Sequence, residues 1–141
     1  MPEILIAEDN SADVYLIREA LKEHGVTCPI RLASDGKDVL GLISSHHLPG
    51  EGSDLGLIIL DLNLPCHDGI EILQQLRESP TLAHVPVVVL TSSDSPRDRL
   101  MANQLGAARF FRKPSNLEEF LSLGAVFKEL LDQTASKAGG M

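Results

Sequence analysis

Three short runs in this chain are apolar at every position. Ile4–Ala7, Leu57–Leu60 and Val87–Leu90 do not alternate polar with apolar. A strand that turns one face to water alternates. A continuously apolar strand is covered on both faces, as in a parallel sheet with helices on each side. Two weaker runs, Ile30–Ala33 and Phe110–Phe111 between Arg109 and Arg112, bring the expected strands to five. Helical patterns lie between them. Val14, Ile17 and Leu21 repeat at helical spacing, with Ser11 placed to cap. Val39, Leu40 and Ile43 form a second helix after Gly36, and Ile70, Leu73 and Leu76 a third, from about Gly69 to Ser79–Pro80. Arg97–Leu105 forms a fourth, closed by Gly106, and a fifth covers about Asn116–Leu131. Strand and helix alternating five times predict an α/β fold, a doubly wound five-stranded parallel sheet with helices on both faces. The 141 residues suit one domain, at roughly 150 residues each. Residues 1–133 are assigned to it. His46–Asp54 is read as a polar loop, and 134–141 as a flexible C-terminal tail.

In such sheets ligands bind beyond the carboxyl ends of the strands. Glu8 and Asp9 follow the first strand, Asp61 the third, Thr91 and Ser92 the fourth, and Lys113 and Pro114 the fifth. Three carboxylates converging on one crevice repel one another unless a cation intervenes, and hard oxygen ligands suit Mg²⁺. Asp61 then becomes a nucleophile toward phosphorus. Mg²⁺ on Asp9 and Asp61, with Lys113 and Thr91 on the remaining oxygens, offsets charge on the transferring group. Taken singly, each residue has a plainer reading: acids at a helix N-terminus, a polar stop to a strand, a turn hydroxyl, a surface lysine. Only the joint pattern lifts them.

That pattern resembles the receiver domains of two-component response regulators. The stretches that carry the resemblance are ILIAEDN (4–10), LIILDLNLPCHDGIEIL (57–73), VPVVVLTSS (85–93) and FFRKP (110–114). The resemblance runs from residue 4 to about 131 and implies the flavodoxin-like receiver fold. It also implies roles. Glu8 and Asp9 are the acidic pair, Asp61 the phosphoacceptor, and Asn63 the residue that lends a backbone carbonyl to the metal. Thr91 is the switch hydroxyl, Lys113 the phosphate-contacting lysine and Phe110 the switch aromatic. Phe111 is the core residue beside Phe110, and Pro65 and Gly69 shape the loop after Asp61. Two positions depart from the family's common pattern: Phe110 where Tyr is frequent, and Ser92 where Ala is frequent. Within the family, AEDNSADVYLIREAL (7–21), DLNLPCHDG (61–69) and KPSNLEEF (113–120) resemble stand-alone regulators associated with phytochrome-type histidine kinases.

The resemblance therefore implies a sensor histidine kinase or a phosphotransfer protein as donor, and a response delivered by protein contact, since no output domain is read on the chain. It implies no turnover of a separate substrate. Two rivals remain. One is a pseudo-receiver scaffold that takes no phosphate, against which Asp9, Asp61, Thr91 and Lys113 together argue. The other is an aspartyl-phosphate phosphatase, which tends to carry a second acid where Asn63 stands.

On the last helix, Leu117, Phe120, Leu121, Gly124, Phe127 and Leu131 share the face expected to meet the sheet. Leu123, Val126 and Leu130 form a second stripe, read as a homodimer interface built on the fourth helix, fifth strand and fifth helix. A net charge of −8 argues against nucleic acid and anionic membrane as partners. Cys28 and Cys66 have no CxxC spacing and fit a reducing compartment. Cys66 and His67 lack further ligands for a transition metal, and there is no phosphate loop of the GxxxxGK[ST] kind. No signal peptide or membrane-spanning window is read, which gives a cytoplasmic expectation.

Overall fold

The computed structural model describes residues 3–45, 55–80, 82–93 and 95–139. The expected His46–Asp54 loop lies outside them. Ten elements alternate: β1 (Glu3–Ala7), α1 (Ser11–Glu23), β2 (Ile30–Ala33), α2 (Gly36–Ser45), β3 (Leu55–Leu60), α3 (Gly69–Glu78), β4 (Val87–Thr91), α4 (Pro96–Gln104), β5 (Arg109–Arg112) and α5 (Leu117–Gly139). The strands form one parallel sheet in the order β2-β1-β3-β4-β5. The three apolar runs are its interior strands, and every residue of β3 and β4 is buried. The two weaker runs are its edges, which explains their mixed composition: Leu32 on β2 is half exposed, and β5 begins and ends on exposed arginines.

Alternation along each strand divides the core in two. Leu5, Ile58, Leu60, Val87 and Val89 pack against α2, α3 and α4 through Val39, Ile43, Ile72, Leu73, Leu76 and Ala102. Ile4, Ile6, Leu57, Ile59, Val88 and Leu90 pack against α1 and α5 through Ile17, Leu21, Phe120 and Phe127. Each such side chain contributes about 1.5–3 kcal/mol by leaving water. Phe110 and Phe111 follow the same alternation. Phe110 packs on the α2–α3–α4 side and Phe111 on the α1–α5 side, both half-buried because β5 is an edge strand.

Several boundaries differ from expectation for local reasons. Asn10, not Ser11, caps α1: its Oδ1 accepts from the backbone N–H of Ala12 (2.9 Å) and Asp13 (3.1 Å). Asp68 caps α3, with Oδ1 accepting from Ile70 N. Ser95 caps α4, with Pro96 in its first turn, and Gly106 follows the helix in the left-handed region (φ 80°). The backbone of α5 stays helical to Gly139, beyond the Leu131 end expected from the apolar pattern; no proline or glycine interrupts it between Ala125 and Ala138.

The largest correction concerns the face of α5. Leu123 and Leu130 are buried, and Val126 packs half-buried against the same cluster, in the layer that α5 shares with α1. The stripe read as a dimer interface is therefore covered within the chain. Leu117, placed on the sheet-facing side, is instead exposed at the first turn of α5. Gly124 explains why the apolar arc of α5 is so wide. Any Cβ there would run into the Ala20 carbonyl of α1 and the ring of His24 just after it, so the two helices approach closely only because this residue has no side chain.

Candidate functional site

The carboxyl ends of β1, β3, β4 and β5 meet at one edge of the sheet and bring the expected residues together. Asp61 follows β3 directly, and its carboxylate is 4% exposed. One oxygen accepts from the backbone N–H of Asn63 at 2.9 Å, and the other lies 2.9 Å from Lys113 Nζ. Glu8, 2% exposed after β1, places its carboxylate 2.8 Å from the same ammonium. Asp9 is exposed beside it. Oxygens of Glu8, Asp9 and Asp61 lie within 4.8 Å of one another, and this is the only such grouping of acids, histidines and cysteines among the described residues.

The loop after Asp61 doubles back over the site. Gly69 N–H donates to the Leu62 carbonyl at 3.2 Å, and a Cβ on Gly69 would overlap the Leu62 backbone. Glycine is thus required for α3 to start against the residue that follows Asp61. The Pro65 carbonyl accepts from Gly36 N–H at 3.0 Å and ties the same loop to α2.

Electrostatically the site is unbalanced. Burial pushes the Glu8 carboxyl up to about 7, against the opposing pull of Lys113 and of the Asn10 N–H, while the neighbouring Asp61 charge adds to the rise. Burial by itself would lower the Lys113 ammonium. Its hydrogen bonds to Asp13, Glu8 and Asp61 outweigh that and raise it above the ordinary lysine range. One cation thus serves several buried acids. A set of clustered carboxylate oxygens, under-compensated and open on the Asp9 side, fits a hard divalent cation.

Thr91, fully buried at the end of β4, accepts through Oγ1 from the Asn63 side-chain amide (3.1 Å) and from Ser93 N–H (3.2 Å). The Asn63 amide also reaches Ser92 Oγ at 3.4 Å. Phe110 lies under the Arg99 guanidinium, which sits 4.7 Å from its ring centroid.

Sequence reasoning passed over two residues here. Asp13, in the first turn of α1, holds Lys113 Nζ at 2.7 Å. The signal was present, since Asp13 stands one helical turn after Asp9, but it reads equally well as an acid favoured by the helix dipole. Arg99 was passed over because nothing in the pattern of α4 points it at β5.

The family model for the response regulator receiver domain matches residues 4–123. The chain belongs to this family. The receiver is 32% identical over 120 residues to the response regulator Rcp1 of Synechocystis, covering 85% of this chain and 82% of that protein. It is 38% identical over 117 residues to a probable methanogenesis regulatory protein, FilR2, of Methanothrix harundinacea, covering 82% and 74%. Among solved structures it resembles the phosphorylated cyanobacterial phytochrome response regulator RcpA, with a TM-score of 0.81 and 32% identity over 94% of this chain and 95% of that one. It also resembles the Mn²⁺-bound form of Rcp1, with a TM-score of 0.78 and 31% identity over 92% and 93%. The likeness to a manganese-bound relative agrees with a divalent-cation site on the carboxylates of this receiver. Among the described residues no helix is long and apolar enough to cross a membrane.

Proposed function

We propose that this receiver accepts a phosphoryl group on Asp61 and passes the change on through protein–protein contacts. The observation that carries this reading is the setting of Asp61. It is a buried carboxylate at a strand end, held by a lysine ammonium and a backbone N–H, beside two further acids. One Asp61 oxygen attacks phosphorus. The new O–P bond forms as the bond from phosphorus to the donor's imidazole nitrogen breaks, and the electron pair leaves with that nitrogen, which takes up a proton. Lys113 offsets charge on the transferring oxygens, and Thr91, whose oxygen only accepts from Asn63 and Ser93, donates its hydroxyl proton to one of them. Glu8, Asp9 and Asp61, with the Asn63 carbonyl, would hold Mg²⁺, which supplies positive charge to the phosphoryl oxygens.

The donor is a sensor histidine kinase. The likeness to Rcp1 and RcpA favours one of the phytochrome type. The receiver turns over no separate metabolite and works in the cytoplasm without nucleic acid, in keeping with its net charge of −8. Asn63 supports this reading over a phosphatase. Where a second acid would act, its amide is instead engaged with Thr91 and Ser92.

Intact-protein mass after incubation with a small acyl phosphate and Mg²⁺ tests the proposal. One phosphoryl group should be gained by the parent, and none by Asp61→Asn or without the metal. A parent that gains nothing, and whose spectrum BeF₃⁻ leaves unchanged, would be a scaffold.

A further inference from the structure

An ammonium group has three N–H donors. Those of Lys113 face three carboxylates: Glu8 at 2.8 Å, Asp61 at 2.9 Å and Asp13 at 2.7 Å. Glu8 and Asp61 belong to the acid set that faces the cation. Asp13 does not. It projects from the first turn of α1, where Asn10 Oδ1 fixes its backbone N–H at 3.1 Å. The Lys113 side chain is 14% exposed and that of Asp13 is 20% exposed, so the contact is largely shielded from water. At its other end, the Lys113 backbone is anchored to β4 by N–H donation to the Thr91 carbonyl at 2.8 Å. The four-carbon stem is thus held at both ends, and Asp13 supplies a hold from outside the acid set.

We propose that Asp13 is a positioning residue for phosphoryl acceptance, keeping the Lys113 ammonium in place while one of its donors passes from Asp61 to a phosphoryl oxygen. This rests on the reading of Asp61 as the acceptor. As the bond from Asp61 to phosphorus forms, the Asp61 oxygens lose charge and attract the ammonium less. A lysine held only by the acids that face the cation would then lose orientation at the moment its charge is needed. With Asp13 in place, two donors stay engaged and only the third changes partner. Preorganised charge of this kind lowers the barrier because it requires no rearrangement during the reaction.

The test uses Asp13→Ala, which removes the acceptor, and Asp13→Asn, which keeps a neutral oxygen in the same place. Acceptance from a small acyl phosphate at saturating Mg²⁺ should slow roughly 5- to 10-fold in Asp13→Ala, with Asp13→Asn falling between it and the parent. A second readout needs no phosphate. The Lys113 side-chain ammonium should give a ¹H–¹⁵N correlation at low temperature in the parent, and solvent exchange should broaden it away in Asp13→Ala while backbone amides outside α1 keep their positions. A role limited to the helix dipole would not move that signal. Equal acceptance rates, an ammonium signal that survives the Ala variant, or none in the parent would each overturn the part given to Asp13. A parent that takes up no phosphoryl group would instead overturn the reading of Asp61.

Discussion

The α1–α5 side of the sheet and the α4–β5 side are held by different forces. On the first, Ile17, Leu21, Phe120, Leu123, Phe127 and Leu130 bury a broad apolar seam, and Gly124 lets the helix backbones close on each other. Asp13, in the first turn of α1, joins this side to the charged half of the site through Lys113 and Glu8. On the second side, Ala102 is the one buried residue of α4, and Leu100 is exposed. Beyond the small apolar contact of Ala102, Met101 and Leu105 with the core, α4 and the turn before it rely on polar contacts. Asn63 donates to Thr91, and Ser93 N–H donates to the same hydroxyl. Ser93 Oγ donates to Asp98 at 2.8 Å, Ser95 caps the helix, and Arg99 lies over Phe110. Apolar burial and close packing resist local opening more than a few part-buried hydrogen bonds do. The α1–α5 side is therefore the platform. Under the proposed function, the α4–β5 side is the part that a change at Thr91 would move.

The harshest way to break this contrast is Gly124→Val. A branched side chain against the Ala20 carbonyl and His24 should cost about 3 kcal/mol of unfolding free energy in urea, while Leu100→Ala on α4 should cost about 0.5 kcal/mol or less. Equal costs would abolish the distinction.

Glu8 tests the charged half. An acid whose folded-state value lies above its unfolded value favours the fold at low pH. That contribution is lost as pH rises from the unfolded value, 4.5, to the folded one, about 7. Relative to Glu8→Gln, the metal-free parent should lose about 3 kcal/mol of stability across that window, measured by urea unfolding at several pH values, and Mg²⁺ should restore part of it. A flat difference between pH 5 and 7 would mean that the carboxyl is not strained by burial.

The mildest change is Arg99→Ala. Losing the cation over Phe110 should cost about 0.5–1 kcal/mol. Amide hydrogen exchange should quicken in α4 and leave α1 and α5 alone. Quickening throughout would show that the two sides open together.

The sequence displayed the sheet well because its interior strands are apolar on both faces, and a run such as Val87–Leu90 has few other uses. That these residues meet was legible for a related reason: Glu8, Asp9, Asp61, Thr91 and Lys113 all stand at or just beyond the ends of strand-forming runs. Helix faces were harder to read. Leu123, Val126 and Leu130 carry the spacing of an exposed stripe. Their burial depends on how closely α1 approaches, and that is decided by the absence of a side chain at Gly124. Asp13 escaped for the opposite reason. Its helical-turn spacing from Asp9 reads equally well as a dipole-favoured acid, and only the fold shows that its partner is Lys113 after β5.

The Asp13–Lys113 contact joins residues 100 positions apart. During synthesis β1, β3 and β4 can pair, and Asp61 can be laid down, well before β5 emerges. Until Lys113 arrives and meets α1, Asp61 and Glu8 have no ammonium beside them. A chain stopped short of β5 holds the acceptor carboxylate but lacks the charge that prepares it. If Asp61 is the acceptor, as proposed, competence to be phosphorylated would then mark a finished fold, and half-made receivers would lack the charge that offsets the transferring group.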